Sequence, residues 1–139
     1  MKKIIKSTIF RILRMIGMRL GSNEIEKVAL GKILTEKNKI KKIEKIEDIE
    51  FKIFSQFGDD GIIQFLVDKL NIGYEYHNFI EFGVEDYSEA NTKFLLLNNN
   101  WSGLILDSSK NNIEKIKKRN FFWRFELEAI ECFITKENI

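Results

Sequence analysis

Two short, largely apolar segments, each closely followed by acidic residues, restrict the fold of this chain more than any other feature of its sequence. Residues 79–84 and 103–106 have the composition of buried β-strands, and residues 88–98 between them have the apolar spacing of a helix. A second helical pattern follows Ser109, and a third strand is predicted at 130–134. This alternation predicts an α/β fold with a parallel sheet and right-handed crossovers.

A further helix is predicted just before the first strand. Asp59 or Asp60 is placed to cap its start, and Gly73 is placed to end it. Its predicted buried face consists of four apolar residues, namely Ile62, Ile63, Leu66 and Leu70.

The acidic residues at the strand ends indicate a nucleoside-type ligand. Ligands of parallel sheets bind at the carboxyl ends of the strands, and a carboxylate there can accept hydrogen bonds from ribose hydroxyls. Asp107 ends the second strand, while the turn after the first strand holds Glu81, Glu85 and Asp86 but only one glycine, Gly83. These charges would repel a pyrophosphate, whereas they suit the amino and sulfonium groups of S-adenosylmethionine. An ordinary acidic turn without a ligand is the alternative.

The first 50 residues form a predicted arm and connector, separate from a domain at 51–139. Residues 1–23 carry six basic side chains and no acidic one, whereas the other 116 residues hold 17 basic and 21 acidic side chains. The acidic body argues against a general role in nucleic-acid binding. The apolar residues of the arm recur at helical spacing, and they are Ile4, Ile5, Ile9, Ile12, Leu13, Ile16 and Leu20.

Three interpretations of this arm stay open: packing against the protein, disorder, and peripheral contact of residues 1–20 with an anionic membrane. No apolar stretch is long enough for a spanning helix, and the arm lacks the features of a secretory signal. We therefore expect a cytoplasmic chain, and the alternative is a peripheral position at the inner face of the membrane. Residues 24–50 are expected to form either a solvated helix or a charged connecting segment, with one apolar edge. With one Cys and one His, the chain offers no zinc site built from Cys and His, and no metal site is expected.

Three blocks of the sequence carry a resemblance to a known family. They are FSQFGDDGII at 54–63, FIEFGVEDYSEANT at 79–92 and WSGLILD at 101–107. With FITKENI at the end of the chain, the similarity extends over roughly residues 46–139. The sequence resembles bacterial S-adenosylmethionine-dependent methyltransferases related to the FkbM type.

The resemblance implies a Rossmann-like, class I methyltransferase fold with S-adenosylmethionine as cofactor. It assigns Glu81 and Gly83 to the methionine part of the cofactor and Asp107 to its ribose, with Glu85 and Ser108 in the flanking turns. Gln56 and Asp60 would roof the site. The implied acceptor is a hydroxyl group of a sugar or polysaccharide precursor, either a small molecule or a glycan. Neither the resemblance nor the residues identify a catalytic base.

The sheet of such a methyltransferase has more strands than the three that this sequence provides. We therefore expect an incomplete sheet whose last strand leaves an open edge, as in a truncated product or one half of a split protein. Two alternatives to an active methyltransferase follow. One is a non-catalytic fragment that folds with a partner chain supplying the missing strands, and the other is a membrane-surface interaction protein.

Overall fold

The computed structural model describes residues 24–138, so the arm predicted at residues 1–23 lies outside the described part of the chain. Within it, five helices and three strands follow one another. They are α1 (Glu24–Ile40), α2 (Asp59–Leu70), β1 (Asn78–Phe82), α3 (Lys93–Asn99), β2 (Ser102–Asp107), α4 (Lys110–Lys117), α5 (Asn120–Arg124) and β3 (Leu127–Glu131). Short 3₁₀ turns at Ile46–Asp48 and Tyr74–Tyr76 precede α2 and β1 respectively. No helix among these residues is long and apolar enough to cross a bilayer.

The three strands form a parallel sheet in the order β1-β2-β3, which confirms the predicted α/β class. Glu81 is in register with Ile105, and Ile105 with Ala129. The connection from β1 to β2 contains α3, and the connection from β2 to β3 contains α4. Both lead in the same direction across the sheet, so right-handed connections place α3 and α4 on the same face. The buried side chains of Ile105, Leu96 and Ile116 share one core cluster, consistent with this arrangement.

The charged segment before residue 50 is part of this folded body. Its residues 24–40 form α1, which contacts both α2 and α3. Val28 and Leu34 of α1 pack against a second apolar cluster, made of Phe51, Ile53, Phe54 and Phe94. The helical alternative for this segment therefore holds for residues 24–40, which pack against the body on one side and expose polar side chains together with Ile25, Ile33 and Ile40 on the other.

The opposite face of the sheet has no covering element within residues 24–138. Ile80 pairs with Leu104, and Phe82, Leu106 and Ile130 form a row across all three strands. Ile80 is 69% exposed and Phe82 is 59% exposed. Parallel sheets are normally covered on both faces. We call this apolar surface the open face.

Three element boundaries differ from the predictions. β3 ends at Glu131, earlier than the predicted strand at 130–134, and α2 ends at Asn71, which has a left-handed backbone, rather than at Gly73. The helix predicted at 88–98 begins only at Lys93. The predicted buried face of α2 is correct only in part: Ile63 packs against the core cluster, whereas Leu66 and Leu70 are exposed, and the fully buried residues are Asp60, Gly61 and Gln64.

Candidate functional site

The predicted site residues of β1 and β2 lie at the same edge of the sheet. Because the two strands are parallel and in register, their carboxyl ends adjoin each other. Gly83 continues this pairing beyond β1, since its N–H donates to the carbonyl oxygen of Leu106 at 2.8 Å. Glu81, Gly83, Glu85, Asp107 and Ser108 are therefore contributed by two adjacent strand ends, as predicted.

The turn after β1 has an unusual backbone. Gly83, Glu85 and Tyr87 all have left-handed conformations, with φ of +70°, +51° and +58° respectively. Such angles are ordinary for glycine but cost other residues about 1–2 kcal/mol each. Residues held in sparsely populated conformations occur preferentially at functional sites. This turn is therefore the strongest local indication of a site in the described part of the chain.

Asp107 connects the two strand ends. Its side chain is largely buried, and Oδ2 accepts a hydrogen bond from the Glu85 N–H at 2.8 Å. Oδ1 accepts from the Ser109 N–H at 2.8 Å and from the Asn112 amide at 3.1 Å. A carboxylate has about four acceptor positions. One acceptor position on Oδ2, beside the strained turn, therefore has no protein donor.

Glu81 organises the start of α3. Its two carboxylate oxygens accept hydrogen bonds from the N–H groups of Asn91 and Thr92, both at 3.0 Å. The Thr92 hydroxyl adds a third bond at 2.5 Å and contacts the Tyr87 hydroxyl at 2.9 Å. Burial raises the pKa of Tyr87, so that its phenol stays neutral. Sequence analysis missed the roles of Tyr87 and Thr92, which fix Glu81 and the turn in place.

The turn is negatively charged and accessible from the solvent. Glu85 and Ser108 are both exposed. Hydrogen bonds from Ser88 and the nearby guanidinium of Arg119 lower the pKa of Asp86, although partial burial opposes this shift. Asp86 is therefore ionised near neutral pH. The arrangement favours a ligand with positive groups and hydroxyl donors over a phosphate.

Gln56 and Asp60 differ in their access to the turn after β1. They belong to one loop, residues 51–58 with the start of α2, and the Phe54 carbonyl oxygen of that loop accepts the Ala90 N–H at 3.0 Å. The loop therefore touches the segment following the turn. Gln56 is exposed in this loop, and its predicted position over the cofactor site stays a prediction.

Asp60 is only 1% exposed, and its Oδ2 accepts four hydrogen bonds from within the loop. The donors are the N–H groups of Ile53, Phe54 and Ser55 and the Ser55 hydroxyl, at 2.7–2.8 Å. Its Oδ1 is also buried. Neither oxygen is accessible to a ligand, so the geometry gives Asp60 a structural role in ordering the loop instead of cap or cofactor contact.

Lys93 is a buried cation that sequence analysis did not identify. It is 3% exposed, and its Nζ lies 2.8 Å from Glu24 Oε1. The ammonium group also lies 4.9 Å from the ring centre of Phe54 and 5.2 Å from that of Phe121. Burial lowers the pKa of Lys93, and Glu24 opposes part of this shift. Lys93 thus joins the first residue of α1 to α3.

We expect the double variant Lys93→Met with Glu24→Gln to be neutral or stabilising by up to about 2 kcal/mol at pH 7, because both charges of the pair are removed while the aliphatic packing of residue 93 stays. The difference should depend on pH. The pKa of Lys93 in the folded chain lies below its unfolded value of 10.5, so the unfolded chain binds more protons between these two values. Wild-type stability should therefore rise relative to the variant as pH approaches 10.5. Urea unfolding of both proteins between pH 7 and 10 measures this, and a constant difference would contradict it.

Comparisons of the chain with protein-family models, curated proteins and solved structures found no match. Among residues 24–138 there is also no group of three His, Cys, Asp or Glu side chains suited to holding a metal ion. The geometry at the carboxyl edge of the sheet and the sequence resemblance are therefore the two indications of a function.

Proposed function

We propose that this chain carries the cofactor-binding part of an S-adenosylmethionine-dependent methyltransferase related to the FkbM type. The observation that carries the proposal is the bond from the Glu85 N–H to Asp107 Oδ2. It joins an acidic, strained turn after β1 to the carboxylate at the end of β2. The three-stranded parallel sheet is compatible with part of the Rossmann-like fold that this function requires.

The donor set fits this cofactor better than a dinucleotide. The free acceptor position on Asp107 suits a ribose hydroxyl, and the acidic side chains of the turn suit an amino group and a sulfonium. The turn has one glycine, Gly83, and no cationic side chain among residues 81–92, so it offers little to a pyrophosphate. S-adenosylmethionine would supply a methyl group for transfer, and we propose a sugar or polysaccharide hydroxyl as its acceptor.

Isothermal titration with S-adenosylhomocysteine tests this proposal. We expect saturable binding by the full chain and a loss of about 10–100-fold in affinity for Asp107→Asn, because a hydrogen bond to a charged acceptor contributes about 1.5–3 kcal/mol. NAD should give no binding, since its pyrophosphate would meet the negative turn. Glu128→Gln is the matched control, because it removes an exposed carboxylate from β3 and should leave binding unchanged.

The absence of S-adenosylhomocysteine binding would contradict the proposal. If the wild-type chain gave no heat with S-adenosylhomocysteine, the cofactor proposal would fail. If the same protein also unfolded in urea over a broad, non-cooperative range, the second candidate would be favoured, namely a fragment that requires a partner chain. The open face supports that candidate, because Ile80, Phe82 and Ile130 form an apolar surface of the kind that other elements cover in complete parallel sheets.

A further inference from the structure

Basic side chains are concentrated in two acid-free segments of the sequence. Residues 1–23 hold six of them, and residues 115–124 hold five. The remaining 106 residues contain 12 basic and 21 acidic side chains, a formal charge of −9. The positive charge of the chain is thus separated from a strongly acidic remainder.

The structure places the start of α1, which follows the first of these segments in the sequence, beside residues 119–124 of the second. The arm of residues 1–23 joins α1 at Glu24, and Glu24 lines a groove of about 710 Å³ together with α5. A second groove, of about 340 Å³, shares Glu24, Asn120 and Phe121 with the first. Four cationic residues line one or the other groove near its surface, namely Lys27, Lys32, Arg119 and Arg124.

Exposed apolar side chains lie among these cations. Trp123 of α5 is 79% exposed and Ile25 of α1 is 77% exposed, and both line the larger groove. We call this surface the basic face, defined by Ile25, Trp123 and the four cations around them. Glu24 is the one acidic residue among those that line the two grooves, and it is paired with Lys93; of the four cations, Arg119 also pairs with Asp86 outside the grooves, at 3.7 Å.

From this juxtaposition we propose that the basic face binds the surface of an anionic lipid bilayer, next to the point where the basic, amphipathic arm joins α1. Lysine and arginine side chains near an anionic bilayer are attracted to its headgroups. Trp side chains favour the interface itself, and an aliphatic side chain such as Ile25 gains by entering it. A nucleic acid would neutralise the same cations, but it offers no apolar environment for Ile25 or for the apolar stripe of the arm.

Sedimentation with vesicles tests the proposal on the full chain. The vesicles contain either phosphatidylcholine alone or phosphatidylcholine with 30% phosphatidylglycerol, the latter in about 0.1 M and 0.5 M salt. We expect binding to the anionic vesicles only, weakened by salt. Lys32→Glu combined with Arg124→Glu should lower the partition coefficient by at least about thirtyfold. Lys37→Glu combined with Lys136→Glu has the same net charge, lies elsewhere on the surface, and should reduce it much less.

Tryptophan emission separates the basic face from the arm. The chain has two Trp residues, and Trp101 is buried, so a blue shift on vesicle binding should come from Trp123 and disappear in Trp123→Phe. Three results would overturn the proposal. They are vesicle binding with unchanged Trp123 emission, an equal fall of the partition coefficient in both charge-reversal variants, and binding to neutral vesicles as strong as binding to anionic ones. Capture of a fluorescent oligonucleotide by the wild type, without vesicle binding, would also overturn it in favour of nucleic acid.

Discussion

Replacing Asp60 with alanine should destabilise the chain by at least about 3 kcal/mol. The substitution leaves the buried N–H groups of Ile53, Phe54 and Ser55 without their shared acceptor, and each unsatisfied buried donor costs about 1–3 kcal/mol. Small domains are stable by only about 5–15 kcal/mol, so this is a large part of the total. Urea unfolding of the full chain, followed by circular dichroism, measures the change.

Asp59 provides the matched control for this prediction. It is the neighbouring acid in the first turn of α2, and Asp59→Ala removes a favourable interaction with the helix dipole, worth about 0.3–1 kcal/mol. Asp60→Asn retains the shape of the side chain and one acceptor oxygen, so we expect an intermediate loss. If Asp59→Ala and Asp60→Ala differed by less than about 1 kcal/mol, the proposed structural role of Asp60 would be wrong.

Gly61→Ala should be comparably damaging, although alanine is normally the better residue within a helix by about 1 kcal/mol. A Cβ atom at this position would overlap the Ile49 carbonyl oxygen and lie 2.5 Å from the Phe51 nitrogen. These are backbone atoms, which cannot rotate away as a side chain can. We expect a loss of about 3 kcal/mol or more, at the upper end for overpacked sites.

Gly83→Ala distinguishes this steric effect from glycine's conformational freedom. No atom lies within 4 Å of a Cβ built on Gly83, so the substitution meets only the left-handed backbone. The expected loss of unfolding free energy for Gly83→Ala is about 1–2 kcal/mol.

The Gly61→Ala prediction has its own contradicting outcome. If Gly61→Ala and the wild type were equally stable in urea, the loop and α2 would be able to separate without a loss of stability.

The parallel sheet could be predicted because strands and crossover helices leave clear patterns. β1 and β2 are short apolar segments, and both were placed within two residues of their ends. β3 is less apolar, since Glu128 lies on the open face and Glu131 is exposed at the end of the strand, while only Leu127 and Ala129 are buried. The prediction followed the more apolar residues 130–134 and therefore placed the strand too late.

The face of α2 could not be read from its apolar residues. Its start is fixed by the Asp60 carboxylate and by close approach of Gly61 to the preceding loop, both of which are tertiary contacts. α3 begins late for a similar reason: the Ala90 N–H bonds to Phe54, and Glu81 takes the N–H groups of Asn91 and Thr92. Hydrogen bonds between distant segments override local periodicity at these points.

Part of the candidate site could be predicted from the strand ends, because acidic residues after parallel strands meet at one edge. The left-handed conformations of Glu85 and Tyr87 and the bridge from Glu85 to Asp107 had no signal in the sequence. The buried position of Asp60 likewise requires knowledge of how the loop folds back on α2.

The open face also has a consequence for the lifetime of the protein in a cell. Chaperones and proteases distinguish unfolded from folded chains by their exposed apolar segments, and folding normally conceals such segments. Among residues 24–138, no element covers the row formed by Phe82, Leu106 and Ile130 even after β1, β2 and β3 have paired. A copy in which these three side chains stay uncovered would present a degradation signal even when folded, so the abundance of the protein would depend on what shields them.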